Sequence, residues 1–249
     1  MASAGRPSPP PPRGPVIDLT GHRRAVNTVA FSPDGRLLAS GSDDRAGILW
    51  DFADAARPAP VTELTGHRRA VNAVAFSPDG RLLASGAGDW TVVLWDVGDP
   101  ARPARRATLV HPRPGPLTRD GWRQGGVHAV AFAPDGRSLV CGVDRTVVLW
   151  DLGDAARPVR TGTGIVPLAR GGDTAQVFAV AFRPDGRSLA SGGENATVTL
   201  WDVTDPAHLA TSAALVGHRG AVRALAFRPD GRLLAGCGAG RNITLWDTS

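Results

Sequence analysis

Apolar residues in this chain come in short runs separated by turn-forming clusters. One stretch shows the pattern well. Ala70–Phe76 (AVNAVAF), Arg81–Ser85 and Thr91–Trp95 read as three successive strands, the last rich in β-branched residues. Between the first two, Ser77-Pro78-Asp79-Gly80 puts Pro second and Gly fourth, as a type I turn requires. Gly86–Asp89 turns the chain again. Pro60–Leu64 before this stretch and Arg105–Val110 after it are fourth-strand candidates. Polar and apolar positions do not alternate cleanly. Val92-Val93-Leu94-Trp95 is continuously apolar, which implies burial on both faces of its sheet. Small antiparallel sheets packed face to face around an axis meet that demand.

The pattern repeats. Trp-Asp recurs at Trp50-Asp51, Trp95-Asp96, Trp150-Asp151, Trp201-Asp202 and Trp246-Asp247, in steps of 45, 55, 51 and 45 residues. Pro-Asp-Gly recurs with it, starting at Pro33, Pro78, Pro134, Pro184 and Pro229. Gly-His occurs at Gly21-His22, Gly66-His67 and Gly217-His218, each His 28 residues before its Trp. Residues 19–51 and 64–96 agree at 26 of 33 positions, the mark of a recent duplication.

Gly-His, Pro-Asp-Gly and Trp-Asp at fixed offsets strongly resemble the WD-repeat family of β-propellers, in its bacterial, high-GC form. The resemblance covers residues 15–249. It implies an all-β propeller of five four-stranded blades at about 23–65, 68–110, 127–168, 176–216 and 219–249. The last blade lacks an outer strand, and residues 15–20 are expected to supply it and latch the ring, as such segments do in the family. Seven blades of about 42 residues would need roughly 294, more than this chain has. The long second and third steps add loop rather than a blade. A closed ring implies a monomer. An open arc implies an oligomer, or a partner that completes it.

Composition narrows this little further. Hydrophobic residues make up 42% of the 249, enough for a core, and no apolar run approaches the length of a membrane-spanning helix. All 28 Lys+Arg residues are Arg, giving a net charge of +5. That composition reads as the codon bias of a GC-rich genome, so nucleic-acid binding is not expected from charge. Residues 1–14 form a Pro-rich tail expected to be disordered, with no apolar core of a secretory signal. Cys141 and Cys237 make no disulfide framework, and a reduced, cytoplasmic protein is expected.

His67, Ser85 and Asp89 invite a catalytic-triad reading. The family resemblance implies instead a buried hydrogen-bonded network of His, Ser, Asp and Trp that ties each top loop to its blade. On the matching positions this is His22, Ser40, Asp44 and Trp50 in the first unit and His67, Ser85, Asp89 and Trp95 in the second. The third keeps Asp144 and Trp150, with Cys141 in the Ser place and no Gly-His. The fourth keeps Ser191 and Trp201, with Asn195 for Asp. The fifth keeps His218 and Trp246, with Gly236 and Gly240 at the other two places.

The chain carries no P-loop, dinucleotide fingerprint, nucleophile elbow or metal-ligand spacing, so neither an enzyme nor a cofactor is expected. A propeller of this family implies a protein-interaction platform. The loops before the first strand and after the second of each unit project to one end, the top. Arg24, Arg45, Arg69, Trp90, Trp122, His128, Arg145, Arg223 and Arg241 fall there. Trp and Arg dominate binding hot spots, and Arg pairs bidentately with carboxylate or phosphate. An acidic or phosphorylated peptide or protein is the expected partner. The alternatives are a sensor or regulatory propeller split from a larger signalling protein, and a five-bladed propeller enzyme.

Overall fold

The computed structural model describes residues 17–54, 57–112, 125–167 and 176–249, and none of these is helical. The first unit forms an antiparallel sheet of β1 (Val26–Phe31), β2 (Leu37–Ser42), β3 (Gly47–Asp51) and β4 (Ala59–Leu64). The second contains β5 (Val71–Phe76), β6 (Leu82–Ala87), β7 (Thr91–Asp96) and β8 (Ala104–Val110). The third contains β9 (Val127–Phe132), β10 (Ser138–Val143), β11 (Thr146–Asp151) and β12 (Val159–Ile165). The fourth contains β13 (Val177–Phe182), β14 (Ser188–Gly193), β15 (Val198–Asp202) and β16 (Ala210–Leu215). The fifth has β17 (Val222–Phe227), β18 (Leu233–Gly238) and β19 (Thr244–Asp247).

Local chemistry sets the hairpins. After β1, the Gly35 N–H donates to the Ser32 carbonyl at 2.9 Å. The Asp34 carboxylate accepts from the Ser32 hydroxyl at 2.6 Å and from the Arg36 N–H at 3.1 Å. Gly35 then sits at φ 71°, and the Gly of every other Pro-Asp-Gly sits at 70° or 71°, a left-handed conformation that costs glycine nothing.

The sheets stack blade on blade, as in a β-propeller. β1 packs on β5, β5 on β9, β9 on β13 and β13 on β17. Each joint seats a Val at the start of one first strand over a Gly in the preceding blade. A Cβ built on Gly41, Gly86, Gly142 or Gly192 would lie 2.5, 2.6, 2.7 and 2.7 Å from a methyl of Val71, Val127, Val177 and Val222. The apolar third strand is covered by the same joint. Leu49, for example, is buried in one cluster with Val71, Leu83 and Trp95 of the next blade.

The two end faces are bare. β17 makes no comparable contact with β1 among the described residues. Val26, Val29 and Phe31 are exposed on the first blade, although Val71, the counterpart of Val26, is fully buried. On the last blade Ile243 and Leu245 are 71% and 63% exposed. The expected completion of the fifth blade by residues 15–20 is not seen. That blade has three strands, and Ile17–Thr20 form none. Residues 15 and 16, like the Pro-rich tail, lie outside the described residues. Leu19 instead packs with Leu38, Ile48, Trp50 and Phe52. The apolar surface around its own blade's Trp holds the segment there.

The joint predicts a specific weakness. Gly142→Ala should cost about 1–3 kcal/mol by overpacking against Val177. Urea melts of the purified chain would show this as a lower midpoint at unchanged slope, and an unchanged midpoint would remove the joint from the account.

Candidate functional site

The tops of the first two blades are tied down by the predicted network. The His22 Nδ1 lies 2.9 Å from Asp44, its Nε2 lies 2.7 Å from the Ser40 hydroxyl, and the Trp50 indole N–H donates to that hydroxyl at 2.9 Å. The second unit repeats this. His67 is 2.8 Å from the Ser85 hydroxyl and 3.4 Å from Asp89, and Trp95 donates to Ser85 at 2.9 Å. Asp44 and Asp89 also accept the backbone N–H groups of Arg23 and Arg68. Ser40 and Ser85 are buried, so these His-Ser-Asp sets hold the loop and offer a substrate no access. Burial alone would raise the Asp44 carboxyl. The N–H groups of Arg23 and Ala46, with His22, outweigh it and bring Asp44 to about 2. Asp89 is lowered in the same way, against its burial, by His67, Arg68 and Thr91.

The other three units depart from this, each for a visible reason. Trp201 donates to Ser191 at 2.8 Å, while the Asn195 amide turns to the Pro167 carbonyl. In the fifth unit Gly236 has no hydroxyl. Trp246 donates to the Val216 carbonyl, and neither ring nitrogen of the buried His218 has a partner. In the third, Cys141 gives the Trp150 N–H no acceptor. His111, a residue that sequence reasoning passed over, packs edge-on against Trp150 with ring centroids 5.5 Å apart. Burial, with the nearby Arg160, lowers His111 to about 4, so it is neutral at pH 7. Asp144 leaves the network. It accepts the Trp90 indole N–H at 3.0 Å and the Gly126 N–H at 2.9 Å.

A second feature of this end was not legible in the sequence as a unit. The pairing of each first and second strand skips one residue, so Asn27, Asn72, His128, Phe178 and Arg223 each sit in a β-bulge. A bulge re-aims its side chain out of the regular pleat. Here each contact passes to the next blade. The Asn27 amide donates to the Val71 carbonyl at 3.2 Å and the Asn72 amide to the Val127 carbonyl at 3.0 Å. His128 meets Phe178 edge-on at 5.6 Å, and the Arg223 guanidinium lies over the other side of the run, 5.3 Å from the Phe178 centroid. Phe178 is the residue the sequence reading missed, and it brings His128 and Arg223 to one place. The signal was its position, matching Asn27 and Asn72, and not its type.

The remaining candidates separate by burial. Arg24, Arg45, Arg69, Arg223 and Arg241 are exposed. None of the five is in an ion pair among the described residues. Arg145 is half-buried. Trp90 is corrected: it is buried at 7% exposure and bridges two blades through Asp144, so it serves the joint rather than a free rim. Trp122 lies outside the described residues. Several acids of this end are committed among the described residues. Asp43 accepts from Asn27 at 2.7 Å, Glu194 accepts the Gln176 N–H, and Asp44, Asp89 and Asp144 hold loops. At the opposite end a hollow of about 720 Å³ is lined by Asp34, Asp51, Asp79, Asp96 and Asp99 with Arg36, Arg81 and Arg102, so carboxylates outnumber guanidinium groups there. No group of three or more His, Cys, Asp or Glu that could hold a metal occurs among the described residues.

The sequence matches the family model described as WD domain, G-beta repeat, five times, at residues 13–51, 58–96, 117–151, 167–202 and 209–247. The chain belongs to the WD-repeat family. Protein Mut11 of Chlamydomonas reinhardtii is 64% identical over 39 residues, which are 16% of this chain and 10% of that protein. Ribosome assembly protein 4 of Saccharomyces cerevisiae is 52% identical over 40 residues, 16% of this chain and 8% of its own length. Small ribosomal subunit protein RACK1 of Glycine max is 56% identical over 39 residues, 16% and 12% of the two chains. This WD-repeat chain thus spans about a tenth of the length of the curated relatives it matches.

Two measurements check the network. The carboxyls of Asp44 and Asp89 are depressed in the folded chain, so their contribution is fully present above about pH 4 and is lost as pH falls toward 2. Asp89→Asn should flatten part of that acid loss and cost about 1–3 kcal/mol at pH 7. An acid titration followed by Trp fluorescence reads both, and an unaltered titration would contradict the network. Cys141→Ser places a hydroxyl where Ser40, Ser85 and Ser191 accept a Trp N–H. It should stabilise the chain by about 1 kcal/mol. A lower melting temperature in that variant would show that the Trp150 donor is satisfied some other way.

Proposed function

We propose that this WD-repeat protein is a non-catalytic interaction scaffold whose top rim binds an acidic or phosphorylated segment of a partner protein. One observation carries the reading. Among the described residues Asp43, Asp44, Asp89, Asp144 and Glu194 are engaged in loops and joints, whereas Arg24, Arg45, Arg69, Arg223 and Arg241 stay exposed without ion pairs. An exposed guanidinium keeps five N–H donors for a bidentate carboxylate or phosphate. Arg223 differs from the other four in having its guanidinium over an aromatic ring, 5.3 Å from the Phe178 centroid. Two of the relatives are named for the ribosome or its assembly, which fits a scaffold. The enclosed His-Ser-Asp sets favour a scaffold over a propeller enzyme.

An array of phosphorylated and unphosphorylated acidic peptides tests this. Phosphopeptides should bind this chain with an affinity that falls steeply as salt rises. In the double variant Arg24→Glu, Arg69→Glu that binding should fall about tenfold or more, while the melting temperature stays within about 2 °C of the parent. Equal binding of neutral peptides, or unchanged affinity in the double variant, would remove the rim as the site.

A further inference from the structure

The fifth unit lacks one side chain while keeping the groups that bond it elsewhere. In the first unit the Asp44 carboxylate accepts from the Arg23 N–H at 2.9 Å and the Ala46 N–H at 3.0 Å, and it meets the His22 Nδ1 at 2.9 Å. In the second, Asp89 accepts from the Arg68 and Thr91 N–H groups at 2.7 and 3.1 Å and meets His67. At the matching places the fifth unit has His218, Arg219, Gly240 and Asn242. The ring and the two N–H groups remain, and Gly240 has no carboxylate to offer them.

His218 turns toward that place. A Cβ built on Gly240 would lie 3.6 Å from the His218 Nδ1 and 3.5 Å from its Cε1. His218 is only 7% exposed, and neither ring nitrogen has a partner. An unpaired buried polar group is costly, so the ring gains from any ligand that bonds it. The missing Ser leaves no second place, because the Trp246 ring lies 2.7 Å from a Cβ built on Gly236. The other altered units differ. Asn195 turns its amide to the Pro167 carbonyl, and Asp144 is taken by Trp90 and Gly126. The side chain that lies nearest the Gly240 place is Asn242, with its Oδ1 2.8 Å from the Cβ position. It is exposed, does not bond His218, and donates to the Thr244 hydroxyl at 3.2 Å, so it is free to swing aside. Trp246 packs with Ala190 and Val198 of the fourth blade. The place therefore lies at an ordinary joint and owes nothing to the bare face of the fifth blade.

We propose that an Asp or Glu side chain of a partner protein places its carboxylate where the fifth unit lacks its own. The carboxylate accepts from the Arg219 and Asn242 N–H groups and bonds the His218 ring, as Asp44 does in the first unit. Two oxygens of one planar group serve all three partners of Asp44, so the fit is to a carboxylate rather than to chloride or phosphate. Arg219 and Arg241, both exposed and next in sequence to His218 and Gly240, offer guanidinium groups to neighbouring acids of the same segment. This assignment rests on the acidic partner proposed above. It adds the one position at which a single acid is read by fixed donors and not by summed charge.

The test titrates the isotope-labelled full chain with sodium acetate and, separately, with sodium chloride and sodium phosphate at equal ionic strength. Acetate should shift the Arg219 and Asn242 amide signals saturably, with half-saturation below about 100 mM, and the other two salts should not. Gly240→Asp supplies the carboxylate from within, so it should abolish the acetate response and raise the melting temperature. His218→Phe keeps a ring and removes its nitrogens. It should weaken the response about tenfold or more, and it decides the matter if Gly240→Asp does not fold. No saturable shift with acetate, an equal response to chloride or phosphate, or a response that survives His218→Phe would overturn the proposal. The double variant Arg24→Glu, Arg69→Glu should keep the acetate response, which separates this place from the rest of the rim. An acidic peptide that binds the parent and His218→Phe equally would overturn this assignment and leave the rim standing. An acetate response with no binding of any acidic peptide would overturn the scaffold reading, and with it the partner as the source of the carboxylate.

Discussion

Everything in this molecule depends on how closely one blade can approach the next. A four-stranded sheet whose middle strands are apolar on both faces has no cover of its own. The cover is the neighbouring blade, and a bare glycine at Gly41, Gly86, Gly142 and Gly192 is what admits a valine from the next first strand. Burial of Leu49, Leu94 and Leu149 follows from that approach. So does the passing of contacts along the five bulged residues, because Asn27 and Asn72 reach the next blade's backbone only where the first strands touch. Where no neighbour follows, the same residue types are left exposed: Val26, Val29 and Phe31 at one end, Ile243 and Leu245 at the other.

The hydrogen-bonded networks are secondary to these joints, and the structure shows it by tolerating their loss. Two are complete, and three are broken in different ways. Yet Trp150, Trp201 and Trp246 remain buried as their counterparts do. The indole's apolar area is what each blade needs, and its N–H takes whatever acceptor is near: a Ser hydroxyl, the Val216 carbonyl, or none. The third unit shows the exchange most plainly. Without Gly-His, His111 fills the space against Trp150 as a neutral ring, and Asp144 is released to hold Trp90 across the joint.

Much of the fold was legible because the signals were local. Ala70–Phe76, Arg81–Ser85 and Thr91–Trp95 became β5, β6 and β7 within two residues at each end, and Ser-Pro-Asp-Gly formed its turn. Turn chemistry and apolar runs act over a few residues, so they can be read from them. The complete His-Ser-Asp-Trp networks of the first two units were also legible, through the family resemblance. The rest depended on distant partners. Trp90 looked like an exposed hot spot because its position is a turn. Its burial comes from the next blade, where it packs in one cluster with Val127 and Leu139 and donates to Asp144, 54 residues on. Phe178 looked like ordinary core, and only the skipped pairing beside it shows that it stands between His128 and Arg223. Completion of the last blade by residues 15–20 is not shown among the described residues, and no local residue pattern encodes the distance between the two end blades.

The positive rim follows from the same economy of groups. A chain that uses Asp in its turns and loop clasps commits its carboxylates as it folds: Asp34 and Asp79 to Pro-Asp-Gly turns, Asp44 and Asp89 to loops, Asp144 to a joint. Arginine is not needed for any of these tasks, because each is an acceptor's task and a guanidinium only donates. At the top Arg24, Arg45, Arg69, Arg223 and Arg241 face solvent, while the acids that clasp the loops have their acceptor oxygens turned to backbone N–H groups and side chains. At the opposite end Asp and Arg interleave, and around the hollow five Asp stand against three Arg. Codon bias accounts for why the cations are all arginine. It does not account for five of them standing exposed at the top without ion pairs among the described residues, opposite an end where carboxylates are in excess, and that difference is what a partner would feel.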